Sequence, residues 1–447
     1  MSTEWSKQDR QKMTAMVNAA IALAAKNGAS AAEIGLSASV GLAVDVRMQA
    51  VDMVEHFRDK GFGVTVYFDQ RKGSASTTDT RPEAIAKTVE AACRIAQYTE
   101  PDPCSGLPEQ KDLATEWPQD LSLYHPWNIT AEQAIEIAMA CEAIALKADK
   151  KIVNSEGAAV NTASSLRVYG NSLGFVQDFV STRHSISCSV IAQKRGQMQR
   201  DYSYTNARDA ADLDSIDFVA TDAAKRTLAK LGPKKLPTGE VPVIFAAEVA
   251  TGLIGSFLGA ISGGSLYREA SFLVDHLGKT IFPDWVTITE DPFVKKGLAS
   301  CPYDGEGVKV SRRDLIQQGV LQGYLLDCYS ARKLKMQTTG NAGGAHNIMV
   351  SHQAKTLAEL LSTMNTGLLI TDVMGQGVNL ITGDYSRGVS GFWVENGQIQ
   401  YPVEEITVAA NLKDMYRGIQ AIGSDVEKRG RIRCGSIFID HMRVAGE

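Results

Sequence analysis

The stretch at 248–264, EVATGLIGSFLGAISGG, carries five glycines, one glutamate and few polar groups, and it follows the strand-like run VPVIF at 241–245. Glycine costs an exposed helix interior about 1 kcal/mol against alanine, so this composition needs a reason. Gly255, Gly259 and Gly263 give GxxxG twice, the pattern of packed membrane helices. Glu248 argues against a membrane span, because a charge within an inserted helix costs roughly 2.5 kcal/mol or more. Alanine, serine and threonine also keep the hydrophobicity weak. The stretch therefore reads as one helix of a soluble protein, with no membrane partner. In it Gly252, Gly255 and Gly259 form a bare stripe at i, i+3, i+7 that lets another element or a peptide approach the backbone.

Composition agrees with that reading. A chain of 447 residues is long for one core and points to two or three domains. Its 44% hydrophobic and 22% charged residues are those of a globular protein. A net charge of −5 leaves no electrostatic footprint for direct nucleic-acid binding. The seven cysteines are scattered without a CxxC pair, which fits reduced thiols in the cytoplasm better than a disulfide scaffold or zinc ribbon. The opening MSTEWSKQDR has no apolar signal core, so export is not expected.

The fold class expected is α+β. A helix over 8–27, strand runs within 34–77 and a helix from Pro82 form one unit. A linker or extended loop at 101–126 holds five prolines and is a possible subdivision. The pattern then recurs as a helix at 131–148 with Thr130 and Gln133 in capping-box spacing, strand runs over 151–204 and a helix near 215–231. An N-terminal α+β region (1–235) built of two helix–meander–helix units is expected. LGPKKLPTGEVP at 231–242 marks the boundary to a β-rich, barrel-like C-terminal domain (240–447) that opens with the glycine-rich helix. Its best hairpin is GFWVENGQIQYPV, turning at Asn396-Gly397.

Few residue patterns offer chemistry. No histidine is followed by glutamate, and no two histidines lie four or five apart, so the usual helical metal pair is missing. His346 and His352 would share one side of a strand, but polar residues on a loop and strand are the preferred reading over a metal site. GNSLG at 170–174 fits a nucleophile elbow in letters only, because strand-like residues flank it on both sides and make it a turn. TEDP at 289–292 and SDVEKRGR at 424–431 read as solvated loops.

Ten segments, in order from 71 to 436, resemble the TldE/PmbA family, described also as modulators of DNA gyrase. They include RKGSAST, YTEPDPCSG, VIFAAEVATGLIG, GGSLYREASFL, GLASCPYDGEGV, TGNAGGAHN and MGQGVNLITGDYSRGVSGFWVENGQIQYPVEEITVAANLKDM. The resemblance implies one subunit of a cytosolic TldD/TldE zinc metalloprotease that degrades or processes unfolded peptides in an internal chamber. It implies a TldD-like partner in a heterodimer, with a homodimer open to the chain alone. TldD-type chains carry HExxxH on the helix matching 248–264, and a later cysteine in a CGK-type motif completes the zinc site. Aligned on Gly252-Leu253, the histidine positions fall on Ala246 and Thr251 and the glutamate on Ala247. Glu248 lies one position further on. The cysteine segment falls near AIGSDVEKRG at 421–430, which has none, and Cys434 reads as structural.

The resemblance therefore implies a chain without catalytic residues, metal or other cofactor of its own, zinc being expected in the TldD-like partner. The loops GGAHN and GDYSRG offer Gly344, His346, Asn347, Asp384, Tyr385 and Arg387 as chamber-lining or peptide-binding candidates, though structural turns would explain them equally. Two other readings stay open. One is an autonomous peptidase with a non-standard, dispersed site; the other is a non-enzymatic regulator that binds gyrase or another target.

Overall fold

The computed structural model describes residues 5–116 and 120–446. Helix α1 (Lys7–Lys26) opens on a capping box between Ser6 and Asp9. The chain turns away at Gly28, whose φ of +89° is a left-handed conformation glycine adopts without strain. Strands β1 (Ala31–Arg47), β2 (Ala50–Phe68) and β3 (Arg71–Thr77) follow, then α2 (Pro82–Tyr98), with Pro82 in its first turn. The second unit repeats this order as α3 (Ala131–Lys147), β4 (Ile152–Asn171), β5 (Val176–Lys194), β6 (Gln197–Ala207) and α4 (Ile216–Ala229). The Thr130–Gln133 capping box forms as its spacing predicts. GNSLG closes the β4–β5 hairpin, with Gly174 at φ +88°, so Ser172 stands on a turn between strands.

The two meanders merge into one sheet of order β3-β2-β1-β4-β5-β6. β1 pairs antiparallel with β4 from Glu33↔Asn171 to Val46↔Ala158. Along β1 the even-numbered side chains from Ala32 to Val46 are buried, Val40 apart, in a period-two pattern. Ile34 and Leu36 pack in the core of α1 and α2, whereas Leu42, Val44 and Val46 of the same strand pack in the core of α3 and α4. β4 reciprocates, with Leu166 and Val168 in the first core and Val160 in the second. The opposite face of the sheet presents Gly35 and Ser37 of β1 and Gly61 and Gly63 of β2 to a cleft.

The C-terminal half contains β7 (Gly239–Phe245), α5 (Ala247–Ala260), α6 (Gly263–Tyr267), β8 (Ile288–Asp291), β9 (Arg313–Gln317), β10 (Val320–Leu321), α7 (Cys328–Lys333) and β11 (Asn347–Val350). It continues with α8 (Leu357–Met364), β12 (Gly367–Met374), β13 (Asp384–Glu395), β14 (Gln398–Asn411), α9 (Leu412–Arg417), β15 (Ile419–Ile422), β16 (Ile432–Arg433) and β17 (Ile437–Ala445). β14, β13, β12, β7 and β17 pair in that order, and β14 pairs back onto β17, closing a five-stranded barrel. The expected barrel-like, mixed α and β architecture is thus observed. Asn396 and Gly397 turn the β13–β14 hairpin with φ of 52° and 71°. A second sheet runs β10-β9-β8-β11-β16.

The glycine-rich stretch departs from one continuous helix. α5 ends at Ala260, and Ile261-Ser262 break it before the short α6. Leu253, Ile254, Phe257 and Leu258 bury one face of α5. Phe257 meets Phe282 edge-on at 5.2 Å, Phe282 lies 4.8 Å from Tyr416, and the Tyr416 hydroxyl donates to Leu253 O at 2.9 Å. Burying each such ring contributes about 2 to 3 kcal/mol. The other face is open: a Cβ on Gly252 or Gly255 would meet nothing within 4 Å, and on Gly259 only Leu380 at 3.2 Å. Among the described residues no helix is long and apolar enough to cross a membrane.

Candidate functional site

Strand β7 of the barrel runs directly into α5, so the start of that helix is held by the barrel wall. Ala246 is its N-cap residue, without a side-chain cap, and its amide donates to Ile370 O on β12 at 2.9 Å. Ala247 is the first helical residue, and the Thr251 hydroxyl donates back to Glu248 O at 2.6 Å. Glu248 is gripped from two sides. Arg226 of α4 donates Nη1 to Oε1 at 2.6 Å and Nη2 to Oε2 at 2.9 Å, and Arg429 donates Nη2 to Oε1. Burial alone would raise the Glu248 pKa, yet the bonds and charge of the two guanidiniums hold it below the usual carboxylate range.

The network reaches further. Arg429 also pairs with Glu427 and stacks over the Tyr204 ring at 4.6 Å, while Arg226 and Lys230 approach Asp201 at 3.4 and 2.9 Å. A cavity of about 290 Å³ lies beside Thr251 and Glu248, and a groove of about 720 Å³ beside Ala246, Ala247 and Glu248. These residues do not fit zinc. Alanine and threonine supply no imidazole or carboxylate, the nearest carboxylate is bound by two guanidiniums, and a dication there would face both positive charges. Among the described residues no group of three or more His, Cys, Asp or Glu side chains is placed to hold a metal ion. Cys434 is fully buried just past β16, its thiol pKa pushed up by burial.

A larger cleft of about 940 Å³ separates the glycine- and serine-rich face of the N-terminal sheet from the C-terminal loops at 299–305 and 342–346. Asp304 joins those loops, accepting from the amides of Ala342, Glu306 and Val308 at 2.9 Å each. Burial raises its pKa to about 6 in spite of those donors. His346 enters the cleft just before β11. Its Nδ1 bonds Glu290 Oε1 at 2.9 Å, and Glu290, 1% exposed on β8, also accepts from Asn341 Nδ2 at 2.7 Å and Arg313 Nε at 3.0 Å. Burial disfavours the charged imidazole, but hydrogen bonds with Cys301 and Glu290 outweigh it and raise His346 to about 9.

The sequence candidates divide among different places. Gly344 (φ +102°) and His346 line the cleft. Asn347, 3% exposed, is consumed internally, donating Nδ2 to Asp291 O and Ser300 Oγ and accepting from the Ala299 amide. Tyr385, 4% exposed, packs edge-on against Phe245 in the barrel core. Asp384 accepts from Thr382 Oγ1, and Arg387 donates to Met374 O, both on β13 of the barrel and away from the cleft lining. His352 lies beyond β11, exposed, so it does not pair with His346. TEDP and SDVEKRGR are not solvated loops: Glu290 is buried, and Glu427 and Arg429 belong to the Glu248 network. The partners that make them so are distant in sequence, and no local pattern marks them.

Three consecutive blocks of the chain match the models described as PmbA/TldA metallopeptidase domain 1 (residues 32–96), central domain (124–231) and C-terminal domain (238–446). The chain belongs to the PmbA/TldD metallopeptidase family. It is 52% identical to the Metalloprotease PmbA of Escherichia coli over 93% of this chain and 92% of that one. A Metalloprotease TldD homolog of Haemophilus influenzae is 21% identical over 83% of this chain and 80% of its own length. A crystal structure of a candidate modulator of DNA gyrase from Bacteroides thetaiotaomicron superposes with a TM-score of 0.93 at 25% identity, covering 99% of this chain and 100% of that one. TldE from Thermococcus kodakarensis shares the fold, with a TM-score of 0.82 at 20% identity over 96% of this chain and 100% of that chain. Within the PmbA/TldD frame, all three matched domains border the large cleft, through Gly35, Tyr169 and His346 respectively.

Proposed function

We propose that this chain is the TldE/PmbA-like, non-catalytic subunit of a cytoplasmic TldD/TldE zinc metallopeptidase that processes unfolded peptides, with the zinc held by a TldD-like partner. The observation that carries this reading is the start of α5. Ala246, Ala247 and Thr251 stand where the resemblance puts the HExxxH side chains, and Glu248 is neutralised by Arg226 and Arg429. Such a helix keeps its position on the barrel wall and offers shape instead of a Lewis acid. Its open glycine face at Gly252 and Gly255 admits a partner element or a peptide backbone within van der Waals distance.

The test is metal content and peptide hydrolysis of the purified chain, alone and mixed with a TldD-like chain. The expected result is no stoichiometric zinc and no turnover alone, and chelator-sensitive turnover in a stable mixed complex. Stoichiometric zinc or chelator-sensitive hydrolysis by the chain alone would show an autonomous peptidase. Failure to associate with the TldD-like chain would leave the regulator reading in its place.

A further inference from the structure

We propose that Ser122, His125 and Asp209 form a serine-hydrolase site in a small cavity beside the large cleft, where Ser122 is acylated by small carboxylic esters with an apolar acyl group. This goes beyond the peptidase reading and needs neither zinc nor a TldD-like partner.

Three side chains stand in series. Ser122 Oγ lies 2.9 Å from His125 Nε2, in hydrogen-bond contact, and His125 Nδ1 lies 3.3 Å from Asp209 Oδ2. An ionised carboxylate only accepts, so it favours the imidazole tautomer with its proton on Nδ1 and the Nε2 lone pair left for the serine hydroxyl. The Ser122 carbonyl, 3.1 Å from the same Nε2, has no proton to offer that lone pair. Serine, imidazole and carboxylate in that order are the groups of nucleophilic acyl transfer, recognised by geometry and not by place in the sequence. The Thr162–His184 contact lacks the third group, because the other ring nitrogen of His184 meets the His125 carbonyl.

The surroundings fix all three. Ser122 has a φ of +54°, a left-handed conformation that strains a residue with a side chain. Its amide donates to Asp120 Oδ1 at 2.8 Å, and its neighbours' carbonyls are bonded too: Leu121 O accepts from the Lys296 amide and Leu123 O from the Thr182 amide, at 2.9 Å each. The His125 amide donates to Thr182 Oγ1 at 2.9 Å, anchoring the histidine to β5. Asp209 lies just past β6, where Lys296 Nζ donates to Oδ2 at 2.7 Å and the Ala211 amide to Oδ1 at 3.0 Å. Those bonds hold its carboxyl below the usual carboxylate range.

The cavity selects the ligand. Its volume of about 480 Å³ is that of a small-molecule site. Leu121, Leu123, Val180 and Pro302 give it apolar walls, and Phe179 and Tyr303 divide it from the large cleft. Arg10 and Asp178 pair with each other, and Asp120 adds a negative charge near the serine. The walls therefore favour a neutral, apolar acyl group over an anionic one.

In the reaction Ser122 Oγ attacks the ester carbonyl carbon while its proton passes to His125 Nε2. The C–O bond to the alcohol breaks, and the alcohol leaves with that proton. Water then attacks the acylated Ser122, His125 taking and returning a proton in the same way, and the carboxylic acid departs with the serine restored. Asp209 is a positioning residue: it sets the imidazole tautomer and offsets the charge the ring acquires.

The experiment treats the full native chain with p-nitrophenyl butyrate and with a fluorophosphonate probe, each with and without chelator, and maps the labelled peptide by mass. Ester hydrolysis that the chelator leaves unchanged, and a fluorophosphonate adduct at Ser122, are expected. Ser122→Ala is expected to abolish both, and His125→Gln to slow both about a hundredfold. Asp209→Asn is expected to lower kcat with KM unchanged, and a raised KM with intact kcat would overturn its place in the site. Label on another serine or on none, hydrolysis lost with the chelator, or rates indifferent to Ser122→Ala would overturn the proposal. The position of the label on the unsubstituted chain decides even where a variant fails to fold.

Discussion

Arg226 on α4 and Glu248 on α5 are joined by two parallel hydrogen bonds, of 2.6 and 2.9 Å, that tie the N-terminal sheet's helical layer to the barrel. The Arg226 side chain is 23% exposed and that of Glu248 31%, so the pair is well shielded without being dry. Glu248→Ala removes the carboxylate between the two guanidiniums and leaves Arg226 only Asp201 and Arg429 only Glu427 as acidic partners. A loss of about 2 kcal/mol is expected, below the roughly 3 to 5 kcal/mol of fully buried pairs. Urea unfolding of Glu248→Ala against the unsubstituted chain measures it, and an unchanged midpoint would mean the clamp is dispensable.

Installing histidines at Ala246 and Thr251 together, with glutamate at Ala247, is expected not to create a stoichiometric zinc site. Arg226 and Arg429 still face the position, and no third ligand is placed there. Metal analysis after dialysis checks this; zinc at one equivalent would show that the flanking charge is no obstacle.

His346 gives stability a pH signature. Its folded pKa is raised from 6.5 to about 9, so the contribution is fully present below about pH 6.5 and is lost as pH rises through 9. Glu290 is the other side of the same interaction, so the two effects are not added. Denaturant midpoints taken from pH 6 to 10 should fall, and His346→Gln should flatten that part of the curve.

Glu306 works in the same direction for a different reason. Burial raises its carboxyl from 4.5 to about 7, although Cys328 donates its amide to Oε2 at 2.9 Å. The folded state therefore holds a proton that the unfolded chain releases, and stability declines as pH climbs from about 4.5 to 7. Glu306→Gln keeps an acceptor without the charge and should gain roughly 1 to 3 kcal/mol at neutral pH. A variant that is less stable at pH 7 than the unsubstituted chain would contradict this.

Gly252 and Gly255 separate folding from recognition. Nothing lies within 4 Å of a Cβ at either position, so each change to alanine should add up to about 1 kcal/mol of helix stability. Leucine at the same positions should leave thermal unfolding intact while impairing association with a TldD-like chain or turnover of the mixed complex. Loss of the fold itself would show that the helix face is packed and not open.

Much of this architecture is written locally. Ser6 and Asp9, Thr130 and Gln133, Pro82, and Asn396-Gly397 act over a few residues, and the elements they start or turn can be read from the sequence. The break at Ile261-Ser262 is harder to read, because apolar residues continue through it. Residues 50–60 of β2 are mostly polar and exposed, and they are extended because β1 pairs with them. The cleft residues are the least legible. Glu290, Cys301 and His346 come from three separated segments, and only the tertiary fold gives TEDP a buried carboxylate.

The crossed roofing of β1 and β4 has a consequence for cooperativity. Each strand begins in one hydrophobic core and ends in the other. A chain cut between Tyr98 and Ala131 would leave half of β1 uncovered in one piece and half of β4 in the other. The two units should therefore melt as one foldon, with amide exchange in β1 and β4 slowing together. Residues 101–116 and 120–126 of the proline-rich segment, in which Leu113, Ala114, Leu121 and Leu123 are buried, join interdependent halves, so the N-terminal repeat cannot flex at its midline.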